Sequence, residues 1–163
     1  MQKKQLARKA RILRWVMNLY PPYLGAGIKV RHISPDFRSV QVSMGLTWYN
    51  RNYVRTQFGG SLYSMTDPFY MLMLMENLGR DYVVWDKAAH IEFISPGKGT
   101  VYAEFAIDET ILSDIRQHTA HGEKYLPKYK ASVRDAHGTL VARVEKTLYI
   151  RRKPQAQLAG APQ

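Results

Sequence analysis

Residues 39–48 alternate strictly, with Val40, Val42, Met44, Leu46 and Trp48 set against Ser39, Gln41, Ser43, Gly45 and Thr47. A period of two predicts a strand with one buried face. Residues 27–34 are its expected partner, turned back at Pro35 and Asp36. Upstream, residues 2–20 follow the helical period. Leu6, Ala10, Leu13, Met17 and Tyr20 share one side, Lys4, Arg8, Arg11 and Arg14 the other, and Lys9 intrudes on the apolar side. Pro21 and Pro22 end this helix. Residues 82–95 and 99–107 are expected to pair around the turn SPGKG, and residues 110–121 to form a short helix with Thr110 as N-cap and Gly122 closing it. Segments 125–135 and 139–151 form a last hairpin about Asp135, Ala136, His137 and Gly138.

Between these strands lies FGGSLYSMTDPFYMLMLMENLG, residues 58–79. Its run from Phe69 to Met75 is apolar on every side, as a helix enclosed by other elements must be. The economical packing is an α+β fold, an antiparallel sheet of about six strands wrapped around one central apolar helix, with an extra N-terminal amphipathic helix. The organisation expected is residues 1–20 as a basic amphipathic helix, 21–152 as the domain, and 153–163 as a disordered tail. The half of the segment before the apolar run carries Ser61, Ser64, Thr66 and Asp67, with Pro68 directly after the carboxylate. Proline inside a helix costs roughly 3 kcal/mol and releases the carbonyl four residues back, here that of Ser64. The break either aims Asp67 or bends the helix around the sheet.

Composition narrows the chemistry. The 163 residues fit one domain, and the absence of cysteine excludes disulfides, thiol catalysis and cysteine-ligated metal and points to the cytoplasm. The formal net charge of +11 calls for an anionic partner: nucleic acid, a lipid surface or a phosphorylated small molecule. Basic residues spread along the chain without a nucleic-acid motif argue against the first. The N-terminal helix carries six Lys or Arg and no acid within residues 1–20, so it either docks on the domain or touches lipid or a partner; membrane contact is not the expectation. No P-loop, dinucleotide fingerprint or serine nucleophile elbow is present. His118 and His121 lack an acid or cysteine to complete a metal site, and no metal is expected.

Against this background the chain resembles the hotdog-fold acyl-CoA thioesterase superfamily. Its phenylacetate-pathway branch carries N-x-x-G-x-x-H-G-G followed by an aspartate nine residues after the histidine. Asn52 matches the Asn, Gly59 and Gly60 the glycine pair and Asp67 the aspartate, whereas Arg55 replaces the motif glycine and Phe58 the histidine. IEFISPGKGTVYAEFAI and DAHGTLVARVEKTLYIRR are similar to the superfamily's hairpins. NRNYVRTQFGGSLYSMTDPFYMLMLMENLG and DYVVWDKAAHIEF are closer still to a branch labelled tetrameric acyl-CoA thioesterase. The resemblance covers about residues 20–152. It implies hydrolysis of acyl-CoA by a homodimer or homotetramer, with no cofactor beyond the coenzyme A of the substrate.

Thioester hydrolysis needs donors for the oxyanion and a base or nucleophile opposite them. Gly59 and Gly60 would open the helix with accessible N–H groups, or serve close packing alone. Asp67, expected to be partly desolvated by Met65, Phe69 and Tyr70, would activate water or attack the thioester, or else be a structural aspartate. Asn52 would orient the carbonyl or cap a loop. Phe58, Ser61, Ser64, Arg55 and Lys98 are the substrate-contact candidates, the last two either meeting phosphates or standing as solvated charges. Met65, Met71, Met73 and Met75 are core, with a deformable acyl pocket as a second role. Asp86 and Lys87 read as structural or interfacial. Gly60 and Asp67 are seven residues apart, roughly 10 Å along a helix, so both can reach one carbonyl only from different subunits of an oligomer. The competing reading is a non-catalytic acyl-CoA or lipid binder, which Phe58 in place of histidine favours.

Overall fold

The computed structural model of the chain describes residues 2–154. Helix α1 (Gln2–Leu19) leads into α2 (Pro21–Ala26), then β1 (Ile28–Ile33) and β2 (Ser39–Met44). Helices α3 (Gly59–Ser64) and α4 (Phe69–Leu78) follow, then β3 (Tyr82–Phe93), β4 (Val101–Ala106), α5 (Glu109–His118), β5 (Lys124–Tyr125), β6 (Lys128–Asp135) and β7 (Leu140–Arg152). The antiparallel sheet runs β1-β2-β4-β6-β7-β3, with the two-residue β5 pairing β7. Its inward side chains alternate along β4 (Val101, Ala103, Phe105) and β7 (Ala142, Val144, Lys146, Leu148, Ile150). They close on Met65, Phe69, Met73 and Leu74, all fully buried. The sheet therefore wraps the α3–α4 segment, and burial of that apolar run is the main force holding the layers together.

Several expectations change. The central helix is two helices, because α3 ends at Ser64 and the cis Asp67–Pro68 peptide precedes α4. Strands β3 and β4 do not pair with each other: β3 pairs β7, and β4 lies between β2 and β6. Strand β2 stops at Met44, where the chain leaves the sheet for the long loop to α3. The two prolines that end α1 also start α2, where their fixed φ suits a first turn. Helix α5 is capped by Asp108, whose carboxylate accepts from the Ile111 N–H at 2.8 Å, and not by Thr110. The expected disordered tail falls largely on residues 155–163, outside the described residues.

The two edges of the sheet are treated differently. Helix α1 lies on β1, burying Ala10 and Met17. Its Asn18 donates to the Val30 carbonyl (3.1 Å) and accepts the Val30 N–H (2.8 Å), occupying edge groups that another strand would otherwise use. At the other end, β3 presents an edge twelve residues long with Ala88, Ala89 and His90 exposed, and among the described residues only β7 pairs with it.

Candidate active site

The entry to α3 is built by two buried amides. Asn50 donates to the Ala26 and Gly45 carbonyls and accepts the Thr47 N–H, fixing the loop against α2. Gln57 donates through its side chain to the Met44 and Gly99 carbonyls, and its N–H reaches the Gly97 carbonyl at 2.9 Å. Lys98 is thereby held between two anchored carbonyls, with its own side chain exposed. Asn52 spends its amide locally, on Thr56 and the Gln57 carbonyl, which caps its own loop at the rim of the groove. Arg55 sits in the same turn at φ +64°, a left-handed conformation. It occupies the position where the motif has glycine, which explains why that position favours glycine.

Asn52, Gln57, Gly59, Phe93 and Gly97 line a groove of about 400 Å³ at the N-terminus of α3. Gly59 and Gly60 do admit close neighbours, but these are aromatic rings of the chain itself. A side chain on Gly59 would meet Phe93 at 2.9 Å, and one on Gly60 would meet Phe58 at 2.5 Å. Both rings are more than half exposed. Ser64 donates to the Gly60 carbonyl, and Ser61 is buried, so neither hydroxyl faces this groove as a substrate contact.

Asp67 lies elsewhere, in a cluster of charges. The Lys146 ammonium, 1% exposed, donates to Asp67 Oδ1 at 2.7 Å. It also lies 3.2 Å from Asp86 Oδ1, within ion-pair reach but without hydrogen-bond alignment, leaving that oxygen with no hydrogen-bond partner among the described residues. The ring of Tyr63 stands 5.3 Å from the same ammonium. From α2, Tyr23 donates its hydroxyl to the Asp67 backbone carbonyl, pinning the residue just before the break. The expected hydrophobic cage is absent: Met65, Phe69 and Tyr70 point into the core, while the Asp67 side chain is 46% exposed and ion-paired.

Desolvation acts on Asp86 instead. Burial pushes its carboxyl above the ordinary aspartate value, aided by the Asp67 charge, while Lys146 pulls it down. For Lys146, burial lowers the ammonium's pKa, but the Asp67 hydrogen bond and the charges of Asp86 and Asp67 outweigh it and hold it above the usual lysine value. The cluster is one cation shared by two carboxylates of unequal environment, one of them open to solvent. Such an arrangement can orient a base or nucleophile and handle a proton.

The fold thus joins Asn52 and Gly59 in one groove and places Asp67 outside its lining. The chain still winds between them, with the Thr66 N–H bonded to the Tyr63 carbonyl and the Asp67 N–H to the Ser64 carbonyl. Helix α3 ends at Ser64 and turns carry the chain on to Asp67, so Gly60 and Asp67 do not stand on one continuous helix, contrary to the expectation from sequence. Arg55 and Lys98 are exposed. Among the described residues no group of three potential ligands converges on a metal position. Lys146, Gln57 and Phe93 are site residues that the sequence pattern did not single out, and Asp86, read from sequence as structural or interfacial, joins the Lys146 cluster. Lys146 carried a signal, because it is the one charged side chain in the inward phase of β7.

Comparison with known proteins places this geometry. The family model described as "Domain of unknown function (DUF4442)" matches residues 8–150. No curated protein matches the chain. Among solved structures, a Pseudomonas aeruginosa protein described as a probable thioesterase superimposes with a TM-score of 0.76 at 16% identity, covering 88% of this chain and 95% of that one. A Haemophilus influenzae thioesterase gives 0.65 at 12% identity, covering 88% and 90%. The PaaI protein of the E. coli phenylacetic acid degradation operon gives 0.61 at 18% identity, covering 91% and 96%. Likeness at such identities is likeness of fold, and the fold is the hotdog fold.

Proposed function

The chain belongs to the DUF4442 family, and on that premise we propose that it hydrolyses acyl-CoA or a related acyl thioester, with Asp67 as base or nucleophile. The observation that carries this reading is the Asp67 carboxylate held by a buried ammonium and still half open to solvent. It stands in the turn that follows the helix opened by the glycine pair. Structural neighbours named as thioesterases support it.

In this reading Asp67 takes a proton from water as the water oxygen attacks the thioester carbon and returns it to sulfur as the C–S bond breaks, so that coenzyme A leaves as a thiol. Alternatively Asp67 attacks that carbon itself, the C–S bond breaks to leave a mixed anhydride and a thiolate that is protonated from solvent, and water then hydrolyses the anhydride to free the acid and Asp67. Lys146 fixes the carboxylate's direction and supplies the compensating charge that the motif histidine, here Phe58, does not. The N–H groups at the start of α3 receive the oxyanion once the Phe58 and Phe93 rings swing aside. Arg55 and Lys98, exposed on the loops beside the groove, meet the phosphates of coenzyme A.

Asp67 lies outside the groove that Gly59 lines, which supports a site shared by two subunits. The open edge of β3 is the surface through which they meet, because Asp86 lies on that strand and brings the charge cluster to the seam. A second reading, an acyl-thioester binder without turnover, is favoured by Phe58 lying over Gly60 where relatives place histidine. Hydrolysis of a panel of short, long and aromatic acyl-CoAs, followed through the released thiol, separates the two. The chain has no cysteine and gives no background with a thiol dye. Turnover of any ester supports the enzyme; tight binding without turnover supports the binder.

A further inference from the structure

Helix α1 has two apolar faces, and only one is used by the fold. Ala10 and Met17 are buried against the domain, with Leu13 packed beside them. On the opposite side Ile12, Trp15, Val16 and Leu19 are between 50% and 66% exposed. Their spacing of three, four and seven residues makes them one stripe. The stripe runs on into Tyr20 and Leu24, also exposed. Trp15 and Leu24 then share a groove of about 380 Å³ with Tyr49, Arg14, Lys29 and Arg31. Toward the N-terminus of the helix the same outward side carries Lys4, Arg8 and Arg11. None of the three has a carboxylate in ion-pair reach among the described residues.

We propose that this outward face of α1 docks the protein on the surface of an anionic lipid bilayer. Whatever covers the stripe must be apolar and must also tolerate three unpaired cations and a cationic groove beside it. A bilayer surface meets both demands: the acyl boundary takes Ile12, Val16 and Leu19, Trp15 sits at headgroup depth, and anionic headgroups neutralise Arg8 and Arg11. A second copy meets them poorly, since α1 contains no acid and copies packed face to face would bury its arginines without partners. The location fits as well. Helix α1 lies on β1, at the opposite end of the sheet from β3, so pairing through β3 leaves the stripe uncovered on both subunits. No described helix is long and apolar enough to cross a membrane; α1 would lie on the surface.

The test is co-sedimentation of the full chain with phosphatidylcholine vesicles, with and without about 30% phosphatidylserine. The expected result is binding to the anionic vesicles, weak binding to the neutral ones, and release by salt. Trp15→Ser with Leu19→Ser should weaken partitioning at least about tenfold, and Arg8→Gln with Arg11→Gln should remove most of the preference for phosphatidylserine. All four positions are solvent-facing, so an unchanged thermal transition certifies the fold of each variant. Failure of the wild type to pellet with anionic vesicles overturns the proposal. Binding indifferent to Trp15→Ser/Leu19→Ser also overturns it, in favour of unspecific charge attraction. Dissociation of a wild-type oligomer by that same pair, read by sedimentation velocity, overturns it in favour of a protein interface.

Discussion

Lys146 Nζ lies 2.7 Å from Asp67 Oδ1, a contact between residues 79 apart in the chain. The same ammonium lies 3.2 Å from Asp86 Oδ1, so one buried cation holds the segment before α4 to strands β7 and β3 at once. Removing one partner of a buried pair is more costly than exchanging both, because the remaining charge is left uncompensated. Lys146→Met is therefore expected to destabilise the fold by about 3 kcal/mol near neutral pH.

That loss should shrink in acid. Asp86 is already raised by burial, and without the lysine that opposes the rise its carboxyl moves higher still. A folded-state pKa above the unfolded value means the folded variant takes up a proton that the unfolded chain does not, so its stability increases as pH falls through that window. The lysine's own contribution is constant there, since a raised ammonium loses its effect only above the usual lysine value. Urea unfolding of both proteins at about pH 7 and about pH 5 checks the sign: the gap should narrow at the lower pH.

Arg55 stands where glycine would be unstrained. At φ +64° an L-residue costs roughly 1 kcal/mol over glycine, less the entropy glycine loses on folding. Arg55→Gly should leave stability unchanged or raise it by up to about 1 kcal/mol. If Arg55 meets a phosphate of coenzyme A as proposed, the same variant should raise KM for acyl-CoA, more at low salt than at high salt, with kcat kept. Thermal unfolding and steady-state kinetics at two ionic strengths measure both effects.

Asn50 is the keystone of the loop that carries the groove. Asn50→Ala leaves the Ala26 and Gly45 carbonyls and the Thr47 N–H without their partner and should cost about 2–4 kcal/mol. Its Tm should fall well below that of Asn52→Ala, whose bonds stay within a partly exposed turn. Differential scanning calorimetry of the two variants decides the order.

What was legible in the sequence follows from which interactions are local. The alternation at Val40, Val42 and Met44, the apolar run from Phe69 to Met75 and the turn from Asp135 to Gly138 all report their elements through neighbouring residues. The pairing of β3 with β7 does not, since it depends on how the whole sheet closes. Asp67 was readable from the motif, but its partners were not: Asp86 approaches only once β3 and β7 are adjacent. Lys146 lies between, because Ala142, Val144, Leu148 and Ile150 define an inward phase into which a lysine falls. A charge in that register demands counter-charges within reach, and Asp67 and Asp86 supply them.

The most direct test is thioester turnover by wild type and by Asp67→Asn, each certified as folded by its thermal transition and each given the best ester of the acyl-CoA panel. The substitution keeps the side chain's shape and one acceptor oxygen while giving up the charge. The expected result is thiol release by the wild type and a fall in kcat of at least about 100-fold in the variant, with KM changed little. A variant that turns over within about threefold of wild type would contradict the assignment of Asp67 as the reacting carboxylate.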